Sequence, residues 1–244
     1  MKRLAIGAAV LALGMATAAG MATAHEIEAK AGGGADPAFD VVRTGIATEG
    51  GDVVFRIAVS GEAASSRPTP TGKLAGSTVF SYVWPTSLDS ATVGFEAGQG
   101  ILALAVTAHP DFDDTPLQDE NGDGSPGNDG DVWHSHWVVL VPDEACGPGA
   151  LKVRDIPEGT KPRLPPTWPD LPILIDSPGH EPEIAGDTVE VRVPIDRLGA
   201  VEGASFDGVT SALRVNADMH APLLCVADVF DVASGDLSLP GRVR

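Results

Sequence analysis

The sequence predicts an all-β protein: a single-domain β-sandwich with long irregular loops. Short β-branched runs recur along the chain, clusters of Gly, Pro, Asp and Ser punctuate them, and helical periodicity is almost absent. The expected strands, in order, are Phe39–Thr44, Asp52–Ser60, Ser77–Trp84, Thr92–Glu96, Ile101–Ala108, Val132–Val141, Leu151–Asp155, Ile173–Asp176, Thr188–Ile195, Val209–Ala217 and Cys225–Val232. Thr188–Ile195 (TVEVRVPI) alternates cleanly, with Val189, Val191 and Val193 on one face and Glu190 and Arg192 on the other. That period of two marks a half-buried strand with one wet face.

Residues 1–24 read as a secretory signal. Lys2 and Arg3 precede an uncharged Ala/Leu/Val/Gly run over Leu4–Ala19, and Ala22-Thr23-Ala24 offers a small-x-small cleavage site. An earlier Ala16-Thr17-Ala18 could also be cut. The run is short and Ala/Gly-rich for a hydrocarbon layer of about 30 Å, so no membrane span is expected. A periplasmic, extracellular or surface location follows. Residues 25–37 (HEIEAKAGGGADP) are expected to form a flexible, polar, Gly-rich arm, and 38–244 the β-sandwich metal-binding domain, of a length one β-rich unit fills.

Sixteen Lys and Arg face 34 Asp and Glu, a net charge of −18 at pH 7. Loss of Lys2 and Arg3 with the signal makes the chain more negative still. This excludes nucleic acid and anionic lipid as natural partners and suits a protein that handles cations. Cys146 and Cys225 make an even pair, which an oxidising compartment turns into a disulfide. In the chain-entropy account a loop of that size is worth about 4 kcal/mol. The alternative is a thiolate ligand, because Cys225 lies five residues after His220.

Two irregular stretches interrupt the strands. Glu158–Pro172 is a Pro-rich crossing expected to be ordered by Trp168 and Leu171. His109–Gly130 is nearly strand-free and acidic, with seven Asp between positions 111 and 131. Such a run repels itself unless a cation neutralises it. Asp119-x-Asn121-x-Asp123-Gly124 matches the first half of an EF-hand-type loop, but position twelve is Gly130. Asp129 or Asp131 could close a calcium site in its place, as could Asp111, Asp113 or Asp114.

The strongest chemical signal is Asp131-Val-Trp-His-Ser-His-Trp-Val-Val-Leu-Val141. In a strand, His134 and His136 share one face about 6–7 Å apart, while Trp133, Ser135 and Trp137 take the other. Two imidazoles on one face suit zinc, copper, iron or nickel. A third ligand is offered by His109, at the end of Ile101–Ala108, and by His220 in Asn-Ala-Asp-Met-His-Ala-Pro. A turn at Met219 would add a thioether, which favours copper(I). His25, if it begins the mature chain, offers an amine–imidazole chelate on a loose arm. No Gly-x-Ser-x-Gly, phosphate loop, His-Glu-x-x-His or Cys-x-x-Cys-His occurs, so nucleophilic, nucleotide and haem chemistry are not expected.

Strand histidines beside tryptophan, in Trp133-His134 and His136-Trp137, resemble the secreted copper-binding proteins of methane-oxidising bacteria, the MopE/CorA type. The resemblance covers 109–137 and implies a copper site in which His residues are ligands. That family also uses an oxidised Trp, whereas here the tryptophans directly adjoin the histidines, so the histidines alone carry over. The expected function is copper acquisition, buffering or delivery. The alternatives are a secreted metalloenzyme with an open coordination position at the same histidines, and a calcium-dependent adhesin-like module.

Overall fold

The computed structural model describes residues 26–32, 35–218 and 222–244. The signal sequence, His25, Met219 and His220 lie outside the described residues. Fourteen strands are present among those described. β1 (Ile27–Glu28), β2 (Val41–Glu49), β3 (Asp52–Val59), β9 (Pro182–Ala185) and β10 (Thr188–Pro194) form one antiparallel sheet in the order β1-β2-β3-β10-β9. β4 (Thr78–Pro85), β5 (Ile101–Ala108), β6 (His134–Pro142), β7 (Leu151–Val153), β12 (Val209–Val215) and β13 (Leu224–Val232) run in the order β5-β4-β12-β13-β7-β6. Pairing of β5 with β6, from Ile101↔Leu140 to Thr107↔His134, closes these six into a barrel. β8 (Ile175–Asp176) pairs with β6 at Trp137 and Val138, and β11 (Ser205–Phe206) pairs with β14 (Gly241–Arg242).

The all-β expectation holds, and the sandwich takes a particular form: an open sheet laid on the wall of a closed barrel. Period-two alternation gives that wall two functions. On β4, β5 and β6, Tyr82, Trp84, Leu102, Leu104, Val106, Trp137 and Val139 point outward, with Trp133 just before β6, to meet Ile46, Phe55, Ile57, Val189 and Val191 of the open sheet. Phe55 packs edge-on against both Trp84 and Trp137. The alternate residues, Val79, Val83, Ala103, Ala105, Val138 and Leu140, point into the barrel and build a second core with Val153, Val209 and Leu213.

β10 alternates as its sequence requires. Its three valines are fully buried, while Glu190 and Arg192 pair with each other and Glu190 also pairs with Arg56. The strand expected at Thr92–Glu96 is absent. The chain there makes a 3-10 turn over Ser90–Val93, because the Asp89 carboxylate caps it by accepting from the Ala91 amide. Cys146 and Cys225 are joined in a disulfide, and no free cysteine remains. Trp168 and Leu171 pack on the barrel core, with the Trp168 indole N–H donating to the Leu171 carbonyl at 2.8 Å. No helix among the described residues is long and apolar enough to cross a membrane.

Candidate metal centre

At the end of the barrel where β5 stops and β6 starts, His109, Asp114, His134 and His136 converge in full burial. Each is placed by a distinct local cause. His134 and His136 are the first and third residues of β6, so strand alternation sends both inward. Their rings meet edge to face with centroids 4.7 Å apart. His109 extends the inward row Ala103, Ala105, Thr107 by one step beyond β5, and its amide donates to the Gly130 carbonyl at 2.7 Å. The chain then turns back, so that Phe112 stacks on the His109 ring at 3.9 Å. Gly130 makes this return possible: a Cβ there would lie 1.9 Å from the Phe112 carbonyl oxygen. The same return carries Asp114 under the three rings.

The donor atoms are close. Asp114 Oδ1 lies 3.0 Å from His109 Nε2 and 3.2 Å from both His134 Nε2 and His136 Nε2. His109 Nε2 and His134 Nε2 are themselves 3.0 Å apart, and one donor atom from each of the four residues falls within 4.8 Å of the others. Four donors around one ion at about 2.0–2.2 Å stand roughly 3.3–3.6 Å apart in a tetrahedron.

The opposite ring nitrogens settle the tautomers. His109 Nδ1 faces the Phe112 carbonyl at 2.9 Å and His134 Nδ1 faces the Val132 carbonyl at 2.7 Å. His136 Nδ1 meets the Ser177 hydroxyl at 3.1 Å, and that hydroxyl donates to the Asp114 carbonyl at 2.8 Å, so it accepts from the imidazole. Each Nδ1 therefore carries the proton, and each Nε2 turns a lone pair toward the common point. Three lone pairs and a carboxylate oxygen repel unless a cation lies among them. His136 Nε2 and Asp114 Oδ1 have no hydrogen-bond partner. Buried polar atoms are satisfied in the great majority of cases, so two orphans at one point mark a place that could hold a cation.

The electrostatics agree. Burial acts to push the Asp114 carboxyl up, but the imidazoles of His136 and His109 beside it hold it well below the usual range. Burial likewise opposes a charge on His134, yet Asp114 outweighs it and moves that imidazole upward. Burial pushes His136 down, with Asp114 only partly offsetting it. The free site thus keeps an ionised carboxylate, with a proton as a poor substitute for a metal ion.

The structure brings together three of the expected histidines, His109, His134 and His136. The fourth member of the cluster is Asp114, which the sequence places among the calcium candidates. Trp137, on the opposite face of β6, and Trp133, just before the strand, lie in the sandwich core. Cys225 is in the disulfide and supplies no thiolate.

The calcium candidates divide. Asp119, Asn121 and Asp123 form an exposed turn in which Asp119 and Asn121 accept from the Asp123 amide and Asp119 also accepts from the Gly124 amide. Asp113 and Asp129 meet further in: the Asp129 amide contacts Asp113 Oδ2 at 3.3 Å, and Asp129 Oδ2 accepts from the Glu120 amide at 2.6 Å. Asp129 Oδ1 and Glu120 Oε2 are buried without partners. Burial pushes Glu120 up, and burial with the neighbouring Asp129 does the same to Asp113. Asp131 is exposed, and Asp111 accepts from Thr71 and Gly72, so neither reaches this group.

No protein-family model, curated protein or solved structure matches the chain. The fold and site define a class on their own terms: an all-β barrel-and-sheet protein with a buried His₃Asp cluster able to hold a metal ion.

Proposed function

We propose that this chain is an exported metal-binding protein that holds one transition-metal ion through His109, Asp114, His134 and His136, with copper the first candidate. One observation carries the reading: four donor atoms converge while every Nδ1 is tied to an acceptor, so the site is oriented for a cation before one arrives. A nitrogen-rich donor set suits copper, zinc, iron or nickel and not calcium. Copper(II) leads the affinity order of divalent ions for such ligands, and the likeness to the MopE/CorA type supports the same choice. Four protein ligands fill a tetrahedral sphere, which favours acquisition, buffering or delivery over catalysis. The metalloenzyme reading is kept because a cavity reaches His136 and Asp114, the access an open coordination position needs. The disulfide and the expected signal sequence support export to the periplasm or beyond. Asp113, Glu120 and Asp129 are the part of the acidic loop best arranged for a structural calcium ion.

The test is calorimetric titration of Cu(II), Cu(I) and Zn(II) into the wild-type chain and a His134→Ala/His136→Ala double variant. Stoichiometric binding lost in a double variant that keeps its far-UV circular dichroism is the expected result. Unchanged affinity in the folded double variant would remove the site from consideration.

A further inference from the structure

The barrel interior is not filled by its own side chains. On β4, β5 and β6 every large aromatic faces outward, which leaves Val83, Ala105 and Val138 facing the barrel interior together with Val209, Leu213 and Val226. The small inward side chains leave a cavity of about 100 Å³. It extends from His136, Asp114 and Phe112 to Val229 and Leu237. Val229 is 48% exposed, so the lining reaches the surface there.

The polar atoms on its wall are few. The Ser81 and Ser211 hydroxyls bond to each other at 2.7 Å, and Ser81 also reaches the Ser211 carbonyl. Thr107 meets His134 Nε2 at 3.1 Å. Among the described residues, no charged side chain lines the space apart from the His109–Asp114–His136 cluster. An ionised guest would lose its hydration with nothing to replace it. Apolar cavities of comparable size, roughly 150 Å³, stay dry and take up benzene or xenon.

We propose that the barrel interior is a binding site for one neutral, apolar small molecule, of about benzene size or smaller, lying against the His136–Asp114 end. Neutrality follows from the lining, size from the volume, and position from the continuity of the cavity with the cluster. The site stands whether or not a metal is held, so its test is run on metal-free and metal-loaded protein alike.

The probes are xenon, followed by ¹²⁹Xe NMR, and benzene, titrated against the methyl resonances of the inward valines, with benzoate as the charged counterpart. Saturable benzene and xenon binding, shifts confined to barrel-interior methyls, and at least tenfold weaker benzoate binding are expected. Ala105→Leu and Val83→Phe fill the space from different strands, and either one that folds should weaken benzene binding at least tenfold. Absence of benzene and xenon binding in the folded wild-type chain overturns the proposal, as does benzoate binding as well as benzene. Undiminished benzene binding in a folded filled variant places the guest elsewhere and also overturns it. The wild-type measurements decide the matter even if both variants fail to fold. Loss of metal binding alone leaves this outcome untouched, so the two readings fail separately.

Discussion

Asp114→Asn is the sharpest probe of the cluster, because Asp114 is the one residue in contact with all three Nε2 atoms. Asparagine keeps the volume and a neutral oxygen but removes the charge. Deleting one partner of a buried, hydrogen-bonded charge pair costs about 3–5 kcal/mol. At about 1.4 kcal/mol per decade, metal affinity should fall by roughly a hundredfold to a few thousandfold. Asp131→Asn removes the same charge three residues before His134 but at an exposed site, and should stay within about threefold of wild type, since exposed charges are screened. Chelator-competition titrations at pH 7 measure both, with circular dichroism confirming the fold.

The pH profile adds a second reading of the same variant. Asp114 raises His134 against the effect of burial, so protons compete with the metal for His134 Nε2 from above its ordinary value of 6.5. Wild-type affinity should therefore weaken as pH falls through that raised range. In Asp114→Asn the upward push is gone, and the weakening should begin at lower pH. A folded Asp114→Asn protein that binds within threefold of wild type with an unshifted profile would show that the carboxylate is not a ligand.

Three further outcomes are expected. Reducing the Cys146–Cys225 disulfide should lower stability by up to about 4 kcal/mol, read from denaturant midpoints with and without reductant; no change would mean the bridge is not formed in solution. Asp176 is 4% exposed, and burial raises its carboxyl from 3.8 to about 6. Between those values the unfolded chain loses its proton first, so stability falls as pH rises. Asp176→Asn, which keeps the Thr167 bond, should gain up to about 3 kcal/mol at pH 7.5 and nothing at pH 3; an equal effect at both would exclude this origin. Removing calcium should lower the melting temperature and open Asp111–Gly130 to protease; resistance unchanged by chelation would mean the loop holds no calcium.

His134 and His136 were legible because a strand's period of two is a local rule, and the flanking Trp-His-Ser-His-Trp shows both faces at once. His109 was legible as the residue after a confident strand. Asp114 was not. Seven aspartates between 111 and 131 look alike in sequence, and what singles out this one is the return of Phe112 onto His109, permitted by Gly130 from the far end of the loop. Ser177, which links His136 to the Asp114 carbonyl, comes from a distant segment with no marking pattern. Barrel closure was hidden for a related reason: alternation fixes which face of β5 and β6 is apolar, not which strand each takes as its second neighbour. At Thr92–Glu96 one side-chain cap at Asp89 outweighed an apolar run too short to decide for itself.

The acidic loop and the metal centre belong to one electrostatic account. A divalent ion held by Asp114 and three neutral imidazoles leaves one uncompensated positive charge in a buried, largely apolar place, which is costly. A monovalent ion such as copper(I) leaves none. Glu120, whose carboxylate acts on His134, lies half-buried with Asp113 beside the buried Asp129 on the loop at this end of the barrel. When ionised, those carboxylates would supply negative potential for a divalent ion, against the upward push that burial gives Asp113 and Glu120. Loading the barrel with Cu(II) or Zn(II) should then lower the pH at which this group takes up protons, and Cu(I) should lower it less. Calcium at the loop would use the same negative potential, so calcium and a divalent barrel ion should each weaken the other. Binding free energies are reciprocal, so the factor must be equal in both directions. Titrating zinc at zero and saturating calcium, and calcium at zero and saturating zinc, measures that factor twice. Two equal factors below one support a shared field, while unchanged affinities would mean that the loop's carboxylates do not act on the barrel ion.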